Sequence, residues 1–428
     1  MSVTALIVEY NPFHNGHQYH LDQSKKITKN DELIVIMSGN FTQRGDAALL
    51  DKWARTRQAL SSGADLVLEL PLVYNIRSAE YFAHYSILSL QKSNIVDSVV
   101  FGSEAGQIKV LTAVAEALVN ESPLFKINLQ KNLKKGIDFP TARRRALLAS
   151  YQNNSKLQNY DKQFIEKILK APNNILGIEY LKSLYRLNSN IKALTIKRVG
   201  TDYHSQQVNK NYASASLIRN LINNKTQSEA LAAAKKLMPA NSWEILKEEI
   251  EKGRFVKELS KMKILNRTVD QLRRLTAEDL RKYKGINNGL ENRIIEKAAA
   301  ASAADNFLDS LKSKNLTESR IKRKLLQIYF GLNLEKINRA ENKAPHYLRV
   351  LGLRKGKEHL LASLDQKSEL ELIINPSQKL NQLNLNSKDP LIMSLSFDLL
   401  ASDLYALLYQ NSAHSSARRD FHQGLIKF

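Results

Sequence analysis

The sequence predicts an α/β fold with a parallel sheet in its first part, followed by a mostly helical and basic second part. Short apolar runs alternate with helix-like segments over the first hundred residues, which favours a parallel sheet. The runs are apolar without polar alternation, as expected for strands buried on both faces. After about Lys236 the strand signals fade, and helical segments rich in Leu, Lys and Arg take over.

The first part is predicted to contain four strands with helices between them. The strands are "TALIVEY", "ELIVIMSG", "ADLVLELP" and "VDSVVFGSE", and the helices that follow the first three span about His17 to Ile27, Asp51 to Ser62 and Ala79 to Gln91. Residues 111–184 are predicted to be helical, and "FPTARRRALLASY" carries Pro140, which suits a first helical turn. A strand at Ala193 to Val199 and a helix over Tyr212 to Ile222 complete this part.

The domain boundary is predicted between about Asn224 and Pro239, which gives domains of residues 1–230 and 231–428. The second domain holds two possible strands or buried segments, "HYLRVLGL" and "ELELIIN".

The charge of the chain is its most unusual bulk property. It has 64 Lys and Arg against 42 Asp and Glu, a net charge of +22. This excess indicates a polyanionic partner, with nucleic acid ahead of a membrane surface, although a generally basic proteome is an alternative. The absence of cysteine excludes disulfides, a thiolate nucleophile and Cys-based zinc sites. No signal peptide or apolar run of membrane-spanning length is evident, which predicts a cytoplasmic protein with no membrane partner.

The stretch "EYNPFHNGHQYH" is the main candidate site. It follows the first strand, where open α/β sheets bind ligands, and the amides of the next helix would face an anion there. His14 and His17 could point at one phosphate, and Gly16 would let a flat or charged group approach the backbone. A zinc site of His14, His17, His20 and perhaps Glu9 is the alternative, but its spacing is not the i, i+4 pair of a helical metal site. A purely structural role is also open.

An ordered series of motifs gives the chain a specific resemblance. "HNGH" after a first strand resembles the HxGH signature of the nucleotidyltransferase superfamily. The strings "VEYNPFHNGHQYHL", "MSGNFTQRGDAALLDKWAR", "LVLELP", "FGSE", "PNNILGIEYLKSL", "TIKR" and "YASASLIR" are similar to one family within it, the bacterial tRNA(Met) cytidine acetate ligases. The match covers roughly the first 220 residues and is weaker beyond. It implies a Rossmann-like nucleotidyltransferase domain with a helical tRNA-binding domain.

The resemblance also implies the site. His14 and His17 match the HxGH pair and would stabilise the α-phosphate, and Lys52 would join Arg198 and Arg219 in neutralising phosphate charge. Ser214 and Ser216 open a helix whose amides could hold phosphate. ATP binding carries over to Ile7, Val8, Glu9, Tyr10, Asn11, Pro12, Phe13, His14, Asn15, Gly16, His17, Gln18, Tyr19, His20, Gly102, Asn173 (with Asn174 the alternative), Arg198, Ser214, Ser216 and Arg219.

RNA binding is predicted on basic segments, where Lys and Arg neutralise phosphates and interleaved Tyr side chains could stack bases. The candidates are Arg320, Lys322, Arg323 and Lys324, joined by Arg143 and Arg144. For each residue alone, a solvated helix face is the simpler interpretation.

By resemblance, the enzyme would be a ligase that forms acetyl-adenylate from ATP and acetate and acetylates N4 of the wobble cytidine of elongator tRNA(Met). ATP would be a co-substrate with Mg²⁺, no zinc is expected, and no protein partner is implied. Two alternatives stay open: a small-molecule adenylyltransferase of the same superfamily, and a catalytically inactive RNA-binding protein.

Overall fold

The protein is built on one mixed sheet with helices on both faces. The computed structural model describes residues 2–30, 32–198, 214–301, 304–313, 316–378 and 384–428. Within these residues the strands are β1 (Val3–Val8), β2 (Glu32–Ser38), β3 (Leu66–Leu70), β4 (Ser98–Ser103), β5 (Lys192–Lys197), β6 (Tyr347–Leu353), β7 (Glu371–Ile373) and β8 (Ile426–Lys427).

The order of the strands is β5-β4-β1-β2-β3-β6-β7, and β8 also pairs with β6. The first five strands are parallel to one another, whereas β6 runs antiparallel to β3. The strand order reverses between β1 and β4, so this sheet has its topological switch point there. Ligands of open α/β sheets bind outside the carboxyl ends of the strands at that point.

The helices of the first half lie between and beside these strands. They are α1 (Asn15–Thr28), α2 (Lys52–Ser61), α3 (Leu72–Asn75), α4 (Ala79–Lys92), α5 (Ile108–Val119), α6 (Pro123–Lys134), α7 (Phe139–Ala149), α8 (Ser155–Gln158), α9 (Lys162–Ile168) and α10 (Pro172–Arg186), with a 3-10 turn at Tyr151–Asn153. The predicted α/β class and the predicted strands are confirmed. The predicted helices also match, and α1 begins two residues before the expected His17.

The sheet has a hydrophobic core on each face. Successive side chains of a strand point to opposite faces, so neighbouring residues belong to different cores. On β2, Ile34 and Ile36 belong to the larger core, which contains side chains of α4, α5 and α10. Leu33, Val35 and Met37 belong to the second core, which contains Leu21 of α1 and Leu60 of α2. Every residue of β2 is buried, which explains its uninterrupted apolar sequence.

The second half of the chain is largely helical. Its helices are α11 (Ala215–Asn224), α12 (Gln227–Lys235), α13 (Ala240–Glu251), α14 (Glu258–Leu272), α15 (Ala277–Arg281), α16 (Leu290–Ala300), α17 (Ala304–Ser310), α18 (Glu318–Tyr329), α19 (Leu334–Glu341), α20 (Glu358–Lys367), α21 (Pro390–Ala406) and α22 (Arg419–His422), with 3-10 turns at Pro376–Gln378 and Ser412–His414. None of the helices in the described ranges is long and apolar enough to cross a membrane.

The predicted boundary near residue 230 does not separate the sheet from the helices. The segment "HYLRVLGL" contains β6, which pairs with β3 through Leu66 and Leu353 and so extends the N-terminal sheet. Helices α11 to α13 pack on the other side of α2, where Leu49 and Leu50 share a core with Ile218 and Leu246. Helices α14 to α18 share a separate core, which includes Leu272, Ile294 and Ile328. The helical region is therefore an insertion between strands of one sheet.

Candidate active site

The loop from β1 to α1 is held in a fixed shape by the segment after β2. The Asn11 side-chain oxygen accepts a hydrogen bond from the Leu49 amide at 2.8 Å. The fully buried guanidinium of Arg55 donates to the carbonyls of Glu9, at 2.7 Å, and Ser38, at 3.1 Å. Arg55 thus ties the carboxyl ends of β1 and β2 together, which is how this α2 residue shapes the site without facing it.

The two histidines of the HxGH motif lie side by side at the start of α1. His14 is the N-cap residue, and its Nδ1 accepts a hydrogen bond from the Gly16 amide at 3.0 Å. The rings of His14 and His17 are stacked, with centroids 3.7 Å apart and planes 22° from parallel. Tyr10 and Phe13 pack against the His17 ring, at 4.9 and 5.6 Å between centroids. The aromatic neighbours therefore fix the position of the pair.

Gly16 has a different reason for being glycine from the one that the sequence suggested. A Cβ atom at this position would lie 2.8 Å from His14 Cε1 and 3.0 Å from His14 Nδ1. The missing side chain of Gly16 makes room for the His14 ring. Gly16 therefore affects a ligand through the position of this ring.

The helix N-terminus is also less open than the sequence suggested. The Asn15 amide donates to the Leu237 carbonyl at 3.0 Å, and the Gly16 amide donates to His14. The amides of His17 and Gln18 both donate to the His14 carbonyl. Because these amides already have acceptors, side chains are left as the groups that can bind an anion here.

Burial keeps the histidines of this loop uncharged at neutral pH. The pKa of His14 is lowered to about 3, mainly by desolvation. The nearby positive charges of Arg198 and Arg219 lower it further. Desolvation also lowers the pKa of His17 well below its usual range and that of His20 to about 4. Among the described residues, His17 Nδ1 and His20 Nε2 are buried without a hydrogen-bond partner. An anion beside these rings would supply both a partner and a counter-charge.

Two arginines from distant segments converge on the same loop. Arg198 continues β5, its amide donates to the Ser103 carbonyl at 2.9 Å, and its side chain passes over Gly102, where a Cβ would lie 3.3 Å from Arg198 Cγ. Its buried Nε has no hydrogen-bond partner in the described part of the chain. Arg219 donates to the Asn11 carbonyl at 2.6 Å. Desolvation lowers the pKa of both guanidinium groups, although both stay charged.

Of the two serines before Arg219, Ser214 caps α11, and Ser216 lies in the first turn of the helix. Ser214 Oγ accepts a hydrogen bond from the Leu217 amide at 3.3 Å, and the Ser214 and Ser216 hydroxyls lie 2.8 Å apart. Both side chains are exposed. Residues 199–213, which include the end of the predicted strand at Val199 and the start of "YASASLIR" at Tyr212, lie outside the described residues.

Asn173 and Asn174, the two candidates for a contact with ATP, differ in their burial and contacts. Asn174 is buried, and its Oδ1 accepts a hydrogen bond from the Ala105 amide at 3.0 Å. Asn173 is only half-buried, and its Nδ2 donates to Glu104 Oε1 at 2.6 Å. Glu104 also accepts hydrogen bonds from the amides of both asparagines, at 3.2 and 2.8 Å, and so holds the start of α10 against the end of β4. Asn173 is therefore the better candidate for a ligand contact.

Lys52 lies in surroundings that the sequence did not reveal. Its side chain is completely buried, and its Nζ bonds Glu69 Oε2 at 2.8 Å and Asp420 Oδ1 at 2.7 Å. Arg349 of β6 approaches the same Asp420 oxygen at 3.4 Å. Because the Lys52 ammonium already binds two carboxylates, it stabilises the fold and does not make the phosphate contact that we predicted.

The basic residues of α18 are next to the loop after β2. Lys322 Nζ bonds Asp46 Oδ1 and Glu318 Oε1, both at 2.9 Å. Arg323 Nη1 donates to the Gln43 carbonyl at 3.5 Å, and a Cβ at Gly45 would lie 2.7 Å from the Arg323 amide nitrogen. On α7, by contrast, Arg143 is bonded to Glu179 at 2.6 Å, and Lys182 shares this carboxylate.

The described residues contain no group of three or more His, Asp or Glu side chains arranged to hold a metal ion. The zinc alternative for His14, His17, His20 and Glu9 therefore gains no support from the geometry. The stacking of the first two rings and the Gly16 hydrogen bond to His14 give the histidines other neighbours.

The sheet order and the histidine pair at its switch point define a class of protein, the nucleotidyl transferases with an HxGH-type motif. A family model described as "HIGH Nucleotidyl Transferase" matches residues 1–420. Within this class the chain belongs to the tRNA(Met) cytidine acetate ligase family. It is 44% identical to the tRNA(Met) cytidine acetate ligase of Halothermothrix orenii and 39% identical to that of Acetivibrio thermocellus, and each match covers 100% of both chains.

A solved structure has the same fold. The crystal structure of Thermotoga maritima TmcAL bound with alpha-thio ATP superimposes with a TM-score of 0.89 at 33% identity, over 100% of both chains. The apo form of that protein matches equally well.

Proposed function

We propose that this chain is an ATP-dependent acetate ligase that acetylates N4 of the wobble cytidine of elongator tRNA(Met), giving N4-acetylcytidine. The observation that carries the proposal is the convergence of His14, His17, Arg198 and Arg219 at the sheet switch point. It occurs in a chain that is 44% identical over its full length to a relative of that name. Such a site belongs in the cytoplasm, where tRNA is found.

The first step would be attack of an acetate oxygen on the α-phosphorus of ATP. A new bond forms between this oxygen and phosphorus, the bond from the α-phosphorus to its bridging oxygen breaks, and pyrophosphate leaves. His14 and His17 would donate hydrogen bonds to the α-phosphate oxygens as charge builds on them, which is electrostatic stabilisation without a covalent intermediate. Neutral imidazoles in a dry site suit this role because each keeps an N–H to donate.

Arg198 and Arg219 would balance the charge of the triphosphate. Arg198 has a buried Nε that lacks a partner in the described structure, and Arg219 stands one turn into α11, behind the exposed serines. Asn173 and the loop from Ile7 to His20 would contact the rest of the nucleotide. Mg²⁺ would arrive with ATP on its phosphate oxygens, since it commonly binds through substrate phosphates and water.

In the second step the cytidine N4 amine would attack the acetyl carbonyl. A C–N bond forms, the bond from the acyl carbon to the AMP oxygen breaks, and the amine loses one proton. The RNA would enter along α18, whose cations lie beside the loop after β2. Phosphate neutralisation by Arg320, Arg323 and Lys324 would then give most of the affinity and make it fall with salt. The predicted Lys322 would contribute less, because Asp46 and Glu318 already pair with it.

ATP–pyrophosphate exchange tests this proposal, followed by transfer of labelled acetate to a tRNA(Met) transcript. We expect exchange that requires acetate, N4-acetylcytidine at the wobble position, and loss of both in His17→Ala. Exchange that ignores acetate would instead support a small-molecule adenylyltransferase. No exchange at all, with tRNA binding intact, would support an inactive RNA-binding protein.

A further inference from the structure

Five cationic side chains from three separate segments meet beside α18. We call them the Lys324 cluster: Arg77 between α3 and α4, Lys284 between α15 and α16, and Arg320, Arg323 and Lys324 of α18. Gln327, also on α18, donates to the Ile76 carbonyl at 3.3 Å and so joins this helix to the Arg77 segment. The cluster therefore lies where the helical region meets the sheet.

The cluster contains much more positive than negative charge. Glu341 bonds Arg77 at 2.7 Å and lies 3.7 Å from Lys284, so these two cations share one carboxylate. Lys324 forms no ion pair with any described residue, although its side chain is half-buried. The pKa of Lys324 is lowered to about 7. Burial is the largest cause, and the positive charges of Arg320, Arg77, Arg323 and Lys284 lower it further. A half-buried ammonium among like charges is unfavourable in the free protein and calls for an anion.

The geometry of the cluster suits a phosphate. Tyr81 holds two of the cations in place, because the Arg77 guanidinium lies 4.2 Å from its ring centroid and Lys284 Nζ lies 3.2 Å from its hydroxyl. On the other side, Lys324 Nζ lies 3.0 Å from where a Cβ of Gly285 would be, so a side chain there would crowd the ammonium. Cations that are held in place suit the binding of a phosphate group.

One residue connects the cluster to the nucleotide site. The Gln43 amide donates to Glu9 Oε1 at 2.7 Å, in the loop that carries His14. The Gln43 side chain donates to the Arg77 carbonyl at 2.8 Å. The backbone carbonyl of Gln43 accepts a hydrogen bond from Arg323. Gln43 thus contacts both the loop that carries His14 and two residues of the cluster.

We propose that the Lys324 cluster binds a backbone phosphodiester of the RNA strand next to the nucleotide that is modified. The inference rests on the proposed function, since it assigns a subsite to the same RNA substrate. It makes the cluster a positioning site, which sets how the target base enters the acyl-adenylate pocket, and distinguishes Lys324 from Lys322, whose charge two carboxylates already balance.

Lys324→Met tests the subsite, because methionine keeps the length of the side chain and removes its charge. With full-length protein and a tRNA(Met) transcript, we expect the Kd to rise about tenfold or more. The slope of log affinity against log salt should fall by about 0.7 to 0.9, the contribution of one phosphate contact. The loss should appear in tRNA affinity rather than in the KM for ATP. The melting temperature without RNA should be equal or higher, because an unbalanced buried charge has been removed.

Lys336→Met is the matched control, since Lys336 is another half-buried lysine, with its ammonium over the Phe397 ring. We expect it to keep the wild-type salt slope. Lys284→Met is the second cluster variant and should repeat the effect of Lys324→Met. Wild-type Kd and slope in both cluster variants would overturn the subsite, as would a raised KM for ATP with unchanged tRNA affinity, which would assign the phosphate to the nucleotide. Failure of the wild type to bind tRNA would instead overturn the proposed function.

Discussion

The imidazole rings of His14 and His17 are stacked at 3.7 Å between centroids, and this contact makes the two residues one unit. Two cationic imidazoles would repel each other in this arrangement. Burial lowers the pKa of both rings, so both are neutral at neutral pH. A polyanionic ligand would favour protonation of either ring, because it supplies a counter-charge. The pair is therefore suited to a substrate that carries its own negative charge to the site.

His14→Asn separates the two roles of His14. Asparagine is a good N-cap residue, so α1 should keep its cap, while the imidazole is lost. We expect acetate-dependent ATP–pyrophosphate exchange to fall about 100-fold to 1000-fold, the range seen when one donor to a developing anion is removed. The melting temperature, measured alongside, should change little. Exchange within threefold of wild type would contradict the role given to this ring.

Gly16→Ala should reduce activity even though alanine is the better helix former. The added Cβ would lie 2.8 Å from His14 Cε1, so the ring must move away from His17. We expect at least a tenfold loss in exchange rate, with an unfolding free energy within about 1 kcal/mol of wild type because helix propensity offsets the strain. Gly424→Ala is the control, since its Cβ would have nothing within 4 Å. Equal activities of the two variants would refute the steric argument.

The buried histidines should make the protein less stable in mild acid. The pKa is lowered from the ordinary 6.5 to about 3 for His14 and about 4 for His20. Below pH 6.5 the unfolded chain takes up protons that the folded protein does not. Stability is therefore fully present above pH 6.5 and is lost as the pH falls toward these values, by up to about 1.4 kcal/mol per pH unit for each histidine.

Denaturant unfolding between pH 6.5 and 5 measures this loss, and His20→Gln isolates one group, because the amide cannot titrate. The pH slope of the variant should be shallower than that of wild type by up to one proton. Identical slopes would show that His20 does not titrate differently in the folded and unfolded states.

Lys52→Met should destabilise the fold by about 3 to 5 kcal/mol, because it leaves two carboxylates buried without their shared cation. Urea unfolding gives the size of the effect, and adding Glu69→Gln and Asp420→Asn should recover part of it. Exchange activity per folded molecule separates this structural role from the catalytic role that the sequence suggested. A stable Lys52→Met with a 100-fold lower rate would restore the catalytic interpretation.

Arg198→Met should weaken ATP binding, because it removes a guanidinium beside His14 and Gly102. We expect the KM for ATP to rise about tenfold or more, as for a lost hydrogen bond to a charged group. The exposed neighbour Lys197 provides the control variant Lys197→Met, which should keep the wild-type KM. Similar KM values for the two variants would argue against a phosphate contact by Arg198.

The strands and helices around the site could be predicted because local sequence determines them. Apolar runs without alternation identified β1 to β4, and the place of the HxGH motif after β1 followed from the general position of ligand sites in such sheets. The antiparallel pairing of β6 with β3 could not be predicted, since it joins residues far apart in the chain.

The errors at single residues come from side-chain contacts that form only in the folded protein. Lys52 has the sequence context of a basic helix start, but its burial is decided by Asp420, 368 residues later. Gly16 was expected to make room for a ligand, whereas the ring that needs the space belongs to its own neighbour His14. In both cases the deciding contact depends on side-chain geometry in the folded protein.

The pairing of Lys52 with Asp420 also bears on the order in which the protein can mature during translation. The helix α2 and the strands β1 to β3 are synthesised early, and Glu69 of β3 supplies one counter-charge for the Lys52 ammonium. The second counter-charge, Asp420, lies on α22, and β8 reaches the sheet later still. A nascent chain that has not yet reached residue 420 lacks one of the two carboxylates that bind this buried ammonium. The sheet that carries the candidate site therefore gains its full set of contacts only after helices α11 to α21 have been made, so synthesis completes both halves of the chain together.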